Sequence, residues 1–171
     1  MDFNLTDEQR LLVENLKDLM LRECPESYFQ ECDAKHEFPA KAWQVLADNG
    51  YLALNLSPEY GGQSIDALTT IMVHQALAHY AQPISLYFAN ASILIPTLEQ
   101  FLNKEQKDEI LPGFARGEIQ IGSGITEPQA GSDGGAIATT AKVDGDTVVL
   151  NGQKTWATNS HQAHYFMVIA R

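Results

Sequence analysis

Basic residues are scarce in this chain. Eleven Lys and Arg stand against 22 Asp and Glu among 171 residues, a formal charge of −11. A nucleic-acid partner requires a basic stripe to neutralise phosphates, and no such stripe exists, which excludes that class. Acidity of this size keeps an enzyme soluble. Cysteine is nearly absent: Cys24 and Cys32 are too few for a disulfide framework and lack C-x-x-C spacing. Reduced thiols in a cytoplasmic protein are the expectation. Long hydrophobic runs are missing as well. The most apolar segment, Ile84 to Ile95, is interrupted by Asn90 and Ser92 and stopped by Pro96, too short to span a bilayer. The opening MDFNLTDEQ is polar and acidic, unlike a signal peptide or an Arg-rich organelle leader. What is present is ordinary globular composition, 44% hydrophobic and 19% charged.

The chain reads as two parts of different character, an α+β organisation. Residues 1–118 form an N-terminal all-α helical bundle. Thr6 followed by Gln9 is a capping-box pattern, and Leu12, Leu16, Leu19 and Met20 make one apolar stripe through about Arg22. Pro39 suits a first helical turn, Ala42, Trp43, Leu46 and Ala47 share a face, and Gly50 is a C-terminal stop. A turn at Pro58 to Gly62 precedes a helix starting at Ser64 or Asp66 and bearing Leu68, Ile71, Met72 and Tyr80. Ile84 to Leu102 is apolar on nearly every side, as in the central helix of a bundle. A last helix runs from about Lys104 towards Ala115, with Pro112 bending or breaking it and Gly117 ending it.

From Ile119 the period changes to two, so residues 119–171 read as the beginning of an antiparallel β-domain. Ile119, Ile121 and Ser123 alternate, strands follow at Thr140 to Val143, Val148 to Leu150 and Tyr165 to Ile169, the DGD string Asp144 to Asp146 is a turn between the first two of these, and Asn151-Gly152 signals a two-residue hairpin. So few strands leave sheet edges open, and the end at Arg171 reads as a cut through this domain.

Two strings carry the chemistry. ITEPQAGSD, from Ile125 to Asp133, is a Pro/Gly-rich loop with small hydroxyls at Thr126 and Ser132. Without a Cβ, glycine lets backbone approach a phosphate or a planar ring closely. NGQKTWATN, from Asn151 to Asn159, leads out of the Asn-Gly turn into a strand whose Trp156 and Thr158 share one face. A loop and a sheet of this kind suit a flat cofactor with polar edges, and a flavin fits best.

These residues resemble the flavin-dependent acyl-CoA dehydrogenases, whose hallmarks are similar to ITEPQAGSD followed by NGQKTWATN. The resemblance extends upstream through LTDEQ, FPAKAWQVLADNGYLALNLSPEYGG and NKEQKDEILPGFARGE, so it covers essentially the whole chain in order. The opening and YFQECD also resemble the branch acting on crotonobetainyl-CoA in carnitine metabolism. The resemblance implies an N-terminal helical domain, a middle β-domain and a C-terminal four-helix bundle. FAD then lies between the β-domain and that bundle, usually in a homotetramer. This chain would hold the first domain and the first strands of the second.

The activity implied is introduction of a 2,3-double bond into an acyl-CoA thioester, by α-proton abstraction and β-hydride transfer to flavin N5. Electron-transfer flavoprotein then reoxidises the FAD. No catalytic residue is expected in this chain, because the base is a glutamate of the C-terminal bundle, beyond Arg171. The chain alone is then inactive and holds FAD poorly.

By the same resemblance, Ser123 and Ile125 offer backbone groups to the pyrimidine edge of the flavin, and Thr126 adds its hydroxyl. Gly131 and Ser132 lie near the pyrophosphate, with Ser132 also near the acyl-CoA substrate. Trp156 packs beside the ring, Ala157 follows it, and Thr158 hydrogen-bonds N5. Three positions depart from the family pattern: Gln129 and Ser160 replace common glycines, and Ala157 replaces a common isoleucine. Gln129 cannot adopt a positive φ cheaply, so the loop's backbone is open to change there.

His161 and His164 do not make a metal site, lacking a third ligand. Glu127 reads as a turn or interface residue, and His74 and His79 as surface or bundle residues. An acyl-CoA oxidase or flavin monooxygenase of the same fold remains an alternative, as does a short, non-catalytic interaction domain.

Overall fold

The computed structural model describes residues 4–171; Met1 to Phe3 of the polar opening lie outside the described residues. The chain divides into two compact units, Met1–Ile119 and Gln120–Arg171.

The first unit holds α1 (Asp7–Glu23), α2 (Glu26–Lys35), α3 (Ala40–Asp48), α4 (Ala67–Tyr80), α5 (Gln82–Phe101) and α6 (Lys104–Ala115). Their ends are set by local chemistry. Gln9 N donates to Thr6 Oγ1 and Thr6 N to Gln9 Oε1, each at 3.1 Å, closing the capping box of α1. Asp66 starts α4, since its carboxylate accepts from Thr69 N at 2.7 Å. Asn103 and Gln106 form a second capping box at α6. Gly50 (φ 78) and Gly117 (φ 77) end α3 and α6 in the left-handed region. Gly50 N donates to Ala47 O and Tyr51 N to Leu46 O, both at 2.9 Å. Gly117 N to Phe114 O and Glu118 N to Gly113 O repeat this paired cap at the same length.

Two features, α2 and the surroundings of α5, differ from the sequence expectation, and of the two outcomes open at Pro112 the break does not occur. α2 was not foreseen, because Phe29 is its one buried residue and its apolar pattern is correspondingly weak. Pro112 does not break α6, which continues to Ala115. The proline falls in the last turn, and burial of Ile110, Leu111 and Phe114 holds the segment helical around it. α5 is not enclosed on every side: Leu86 and Ile93 are 59% and 69% exposed.

α4 packs against both α1 and α5. Leu16 and Met20 of α1, Val73 and Leu77 of α4, and Ile84, Leu94 and Ile95 of α5 are fully buried, with Leu46, Leu56, Leu111 and Phe114 extending the core. Each such side chain contributes about 1.5–3 kcal/mol through removal from water. Among the described residues no helix is long and apolar enough to cross a membrane.

The second unit holds β1 (Ile121–Gly124), β2 (Thr140–Asp144), β3 (Thr147–Asn151) and β4 (Tyr165–Val168). β2 and β3 are the expected antiparallel hairpin, paired from Thr140↔Asn151 to Asp144↔Thr147. β1 and β4 pair in parallel, Ile121 opposite Tyr165 and Gly124 opposite Val168. The long connection between them, which contains the whole β2–β3 hairpin, allows that crossover. After β4 the chain changes neighbour. Ile169 N still reaches Gly124 O at 3.1 Å, whereas Arg171 N donates to Thr139 O at 2.9 Å and Arg171 O accepts from Ala141 N at 2.6 Å.

The Asn-Gly expectation fails. Asn151 is the last residue of β3, opposite Thr140. The turn joining β2 to β3 is Gly145-Asp146, in the DGD string expected to turn, with Gly145 at φ 59 in the first central position. Gly152 serves close packing instead, since a Cβ there would sit 2.2 Å from Thr139 Oγ1. The strand expected to carry Trp156 and Thr158 is absent, and residues 152–164 are turns and irregular backbone up to β4.

Candidate functional site

The ITEP string forms a tight turn. Glu127 N donates to Ala130 O at 2.9 Å and Ala130 N to Glu127 O at 3.1 Å, placing Pro128 and Gln129 at the corner. Gln129 is not among the positive-φ residues, so the loss of a glycine there does not disturb the backbone. Its amide donates to Glu127 Oε2 instead.

Glu127 is the pivot of the loop. Its side chain is 2% exposed, and Lys154 Nζ, on a side chain 10% exposed, donates to Oε1 at 2.8 Å. Thr139 N donates to Oε1 at 2.9 Å and Ala138 N to Oε2 at 2.7 Å. The Lys154 ammonium first, then the Thr139 and Ala138 groups, hold the Glu127 carboxyl well below the usual carboxylate range. A buried carboxylate is tolerable only with such a full set of donors. The turn-residue reading of Glu127 is therefore incomplete, since it is also half of a buried ion pair.

The second string lies alongside. Lys154 Nζ also donates to Ile125 O at 3.0 Å, and Thr155 N donates to Thr126 O at 2.9 Å. Immediately after this ladder Trp156 adopts φ 56 and is 89% exposed. A bulky residue in the left-handed region costs on the order of 1–3 kcal/mol and persists only where its surroundings impose it. Asn159, buried, takes φ 65, and its carbonyl accepts from Gln162 N and Ala163 N. Trp156 and Thr158 thus do not alternate along a strand. They occupy a strained turn pinned at both ends. An open cleft of about 540 Å³ lies between Glu127, Pro128, Thr155 and Trp156.

The other residues expected at the site fall as follows. Ser123 is half-buried on β1, opposite Met167. Ile125 is exposed and Thr126 half-buried on the strip beside Lys154 and Thr155. Ala157 and Thr158 are half-buried in the turn after Trp156. Gly131 and Ser132 lie beyond Ala130 on an exposed bend, with open space around Gly131. The structure therefore joins Ile125 and Thr126 to the Lys154–Trp156 strip directly. Asp133 caps the short 3-10 turn Gly134–Ala136, its carboxylate accepting from Gly135 N at 3.0 Å. His164 has a structural partner, its Nδ1 accepting from Gln120 N at 3.1 Å.

Glu127 and Lys154 were missed as a pair in the sequence. The available signal was an acid in one string and a base in the other, both flanked by residues of the expected site.

The Lys154–Trp156 strip thus presents an exposed indole beside the half-buried Thr126 and Thr158, with Gly131 and Ser132 on an exposed bend beyond Ala130. Buried Thr155 Oγ1 and Asn159 Oδ1 lack a protein partner among the described residues, so the segment keeps unused polar capacity. A helical unit followed by a β unit carrying such a loop pair is the architecture of one class of flavin enzyme. The chain belongs to the acyl-CoA dehydrogenase family: the profile for the acyl-CoA dehydrogenase N-terminal domain matches residues 6–118, and that for the middle domain matches 122–171. Solved structures agree. A glutaryl-coenzyme A dehydrogenase in complex with glutaryl-CoA superposes with a TM-score of 0.90 at 28% identity, over 99% of this chain and 44% of that one. An acyl-CoA dehydrogenase from Geobacillus kaustophilus gives 0.85 at 25% identity, over 100% and 45%. The FAD complex of PigA gives 0.90 at 27% identity, also over 100% and 45%. The chain thus spans less than half the length of the structures it matches.

Proposed function

We propose that this chain supplies the N-terminal helical domain and the first middle-domain strands of a cytoplasmic, FAD-dependent acyl-CoA dehydrogenase. The observation that carries the reading is Trp156, 89% exposed at φ 56 and fixed by its neighbours against the ITEP turn. An indole held outward under strain is poised for a planar partner. Trp156, Ala157 and Thr158 would take the ring system, with Ser123, Ile125 and Thr126 at its polar edge. Gly131 and Ser132 would meet the pyrophosphate, and Ser132 also the acyl-CoA. FAD, when bound, supplies a hydride acceptor at N5. The chain's own part is to orient that acceptor and offer the Thr158 hydroxyl to it, a preorganised donor in a half-buried setting.

In this reading the α-proton is taken by a glutamate beyond Arg171, the electrons pass to electron-transfer flavoprotein, and the enzyme is a homotetramer. The likeness of YFQECD to the crotonobetainyl-CoA branch makes that thioester one substrate to try. The test uses the complete open reading frame containing these residues, purified with added FAD and mixed anaerobically with a panel of acyl-CoA thioesters. Bleaching of a stoichiometric flavin band by one of them is the expected result. A protein that retains no flavin overturns the proposal. Turnover with and without electron-transfer flavoprotein, under air and under nitrogen, separates a dehydrogenase from an oxidase.

A further inference from the structure

We infer that Glu127 and Lys154 act together as a positioning clamp for the Trp156–Thr158 turn, an inference that rests on the flavin reading above. The geometry points to a specific division of labour. Three separate stretches converge on one carboxylate: the turn at 127–130 through Gln129, the entry to β2 through Ala138 N and Thr139 N, and the 152–164 segment through Lys154 Nζ. The two partners are 27 residues apart in sequence, so their contact fixes the second string against the first across the intervening hairpin. The ammonium is used twice, at Glu127 Oε1 (2.8 Å) and at Ile125 O (3.0 Å), which leaves little freedom to slide. Thr155 N to Thr126 O, one residue further on, sets the register.

Trp156 comes next, where the backbone turns into the left-handed region. Nothing local favours that conformation for tryptophan, which carries a Cβ and a bulky ring. The bonds at 154 and 155 and the Asn159 turn are what impose it. Removing the Lys154 contacts frees the residue before the ladder, and the turn then relaxes towards ordinary backbone and carries the indole and the Thr158 hydroxyl with it. The acid is suited to this task, since its low pKa keeps the ion pair charged through the physiological range. Neither side chain need touch the ligand. Both act through Trp156 and Thr158, as outer-shell groups that orient a site commonly do.

The test uses the complete open reading frame and compares wild type with Lys154→Met, Lys154→Arg and Glu127→Gln. Three quantities are read: the FAD dissociation constant by flavin fluorescence, the thermal midpoint of the apoprotein, and hydrogen exchange of the 152–164 amides without FAD. The clamp is expected to make Lys154→Met bind FAD at least tenfold more weakly and to speed exchange in 152–164 selectively. Lys154→Arg, which keeps the charge, should stay within a few-fold of wild type. A merely structural pair would lower the thermal midpoint while the folded variant bound FAD as before, and that outcome overturns the inference. Should Lys154→Met fail to fold, Glu127→Gln, which keeps the side-chain volume, gives the same reading. If wild type takes up no FAD, the flavin reading fails by itself. The exchange data then still decide the clamp, and unchanged protection in Lys154→Met overturns it.

Discussion

The helical unit and the β unit are held together by different physics. In the first, Leu16, Met20, Val73, Leu77, Ile84, Leu94 and Leu111 interlock out of water, and Thr69 is its one buried polar residue among those described. In the second, the apolar burial comes down to Ile121, Ala130 and Ile137, while Gln120, Glu127, Thr139 and Asn159 are buried and polar. The β2–β3 ribbon leaves Val143, Val148, Val149 and Leu150 more than half exposed. Apolar burial is non-directional and tolerates sliding, whereas a buried carboxylate with four donors has one geometry. A scaffold and the candidate site divide along that line: the first needs stability, the second needs fixed angles.

The largest effect that would sharpen this contrast is a cavity in the helical core. Leu111, fully buried in α6, should cost about 2–5 kcal/mol when cut to alanine, read by chemical denaturation of the 171-residue chain. A loss below 1 kcal/mol would mean that the core repacks and the contrast is overstated.

Next in size is the site. If the proposed flavin reading holds, Thr158→Val in the complete protein keeps the shape and deletes the hydroxyl, with an expected loss of roughly 1–3 kcal/mol in the hydride-transfer step, about ten- to a hundredfold in rate. Stopped-flow reduction by an acyl-CoA is compared with flavin content. An unchanged rate with flavin retained would reduce Thr158 to a packing residue.

Gly117→Ala tests the local wiring of the scaffold. The position has φ 77, and a Cβ there would sit 2.9 Å from Ala47 Cβ. A penalty of about 1–2 kcal/mol follows from the left-handed conformation alone, measured as a drop in thermal midpoint.

Smaller effects separate the units by pH. His74 Nε2 lies 2.7 Å from Ser92 Oγ, and burial lowers its pKa from the ordinary 6.5. The unfolded chain then takes up that proton first, so stability falls as pH drops below about 6.5. Glu127 runs in the same direction but lower on the scale: its pKa is lowered from 4.5, so its contribution is complete above that value and is lost only as pH falls beneath it. Thermal melts from pH 7.5 to 4 should show the helical unit weakening first, and His74→Gln should flatten that upper limb. Smallest of all, Val149→Ala on the exposed ribbon should change the stability of the 171-residue chain by no more than about 0.5 kcal/mol.

The sequence alone fixed what short-range chemistry can fix. The Thr6–Gln9 capping box, the Gly50 and Gly117 stops and the apolar faces of α1 and α3 all follow from groups within a few residues of one another, so the pattern is complete in any short window. α2 escaped because a helix burying only Phe29 leaves almost no periodic trace. Beyond Ile119 the reading weakened for the same reason in reverse. Two strings marked the candidate site, yet their flanking Asn-Gly and alternating residues argued for a turn and a strand that are absent. Tertiary structure alone decided the parallel pairing of β1 with β4, the left-handed backbone at Trp156 and the meeting of Glu127 with Lys154. Each of these depends on partners brought together from across a long connection. No local preference encodes them, because their stabilisation exists only once the connection has closed.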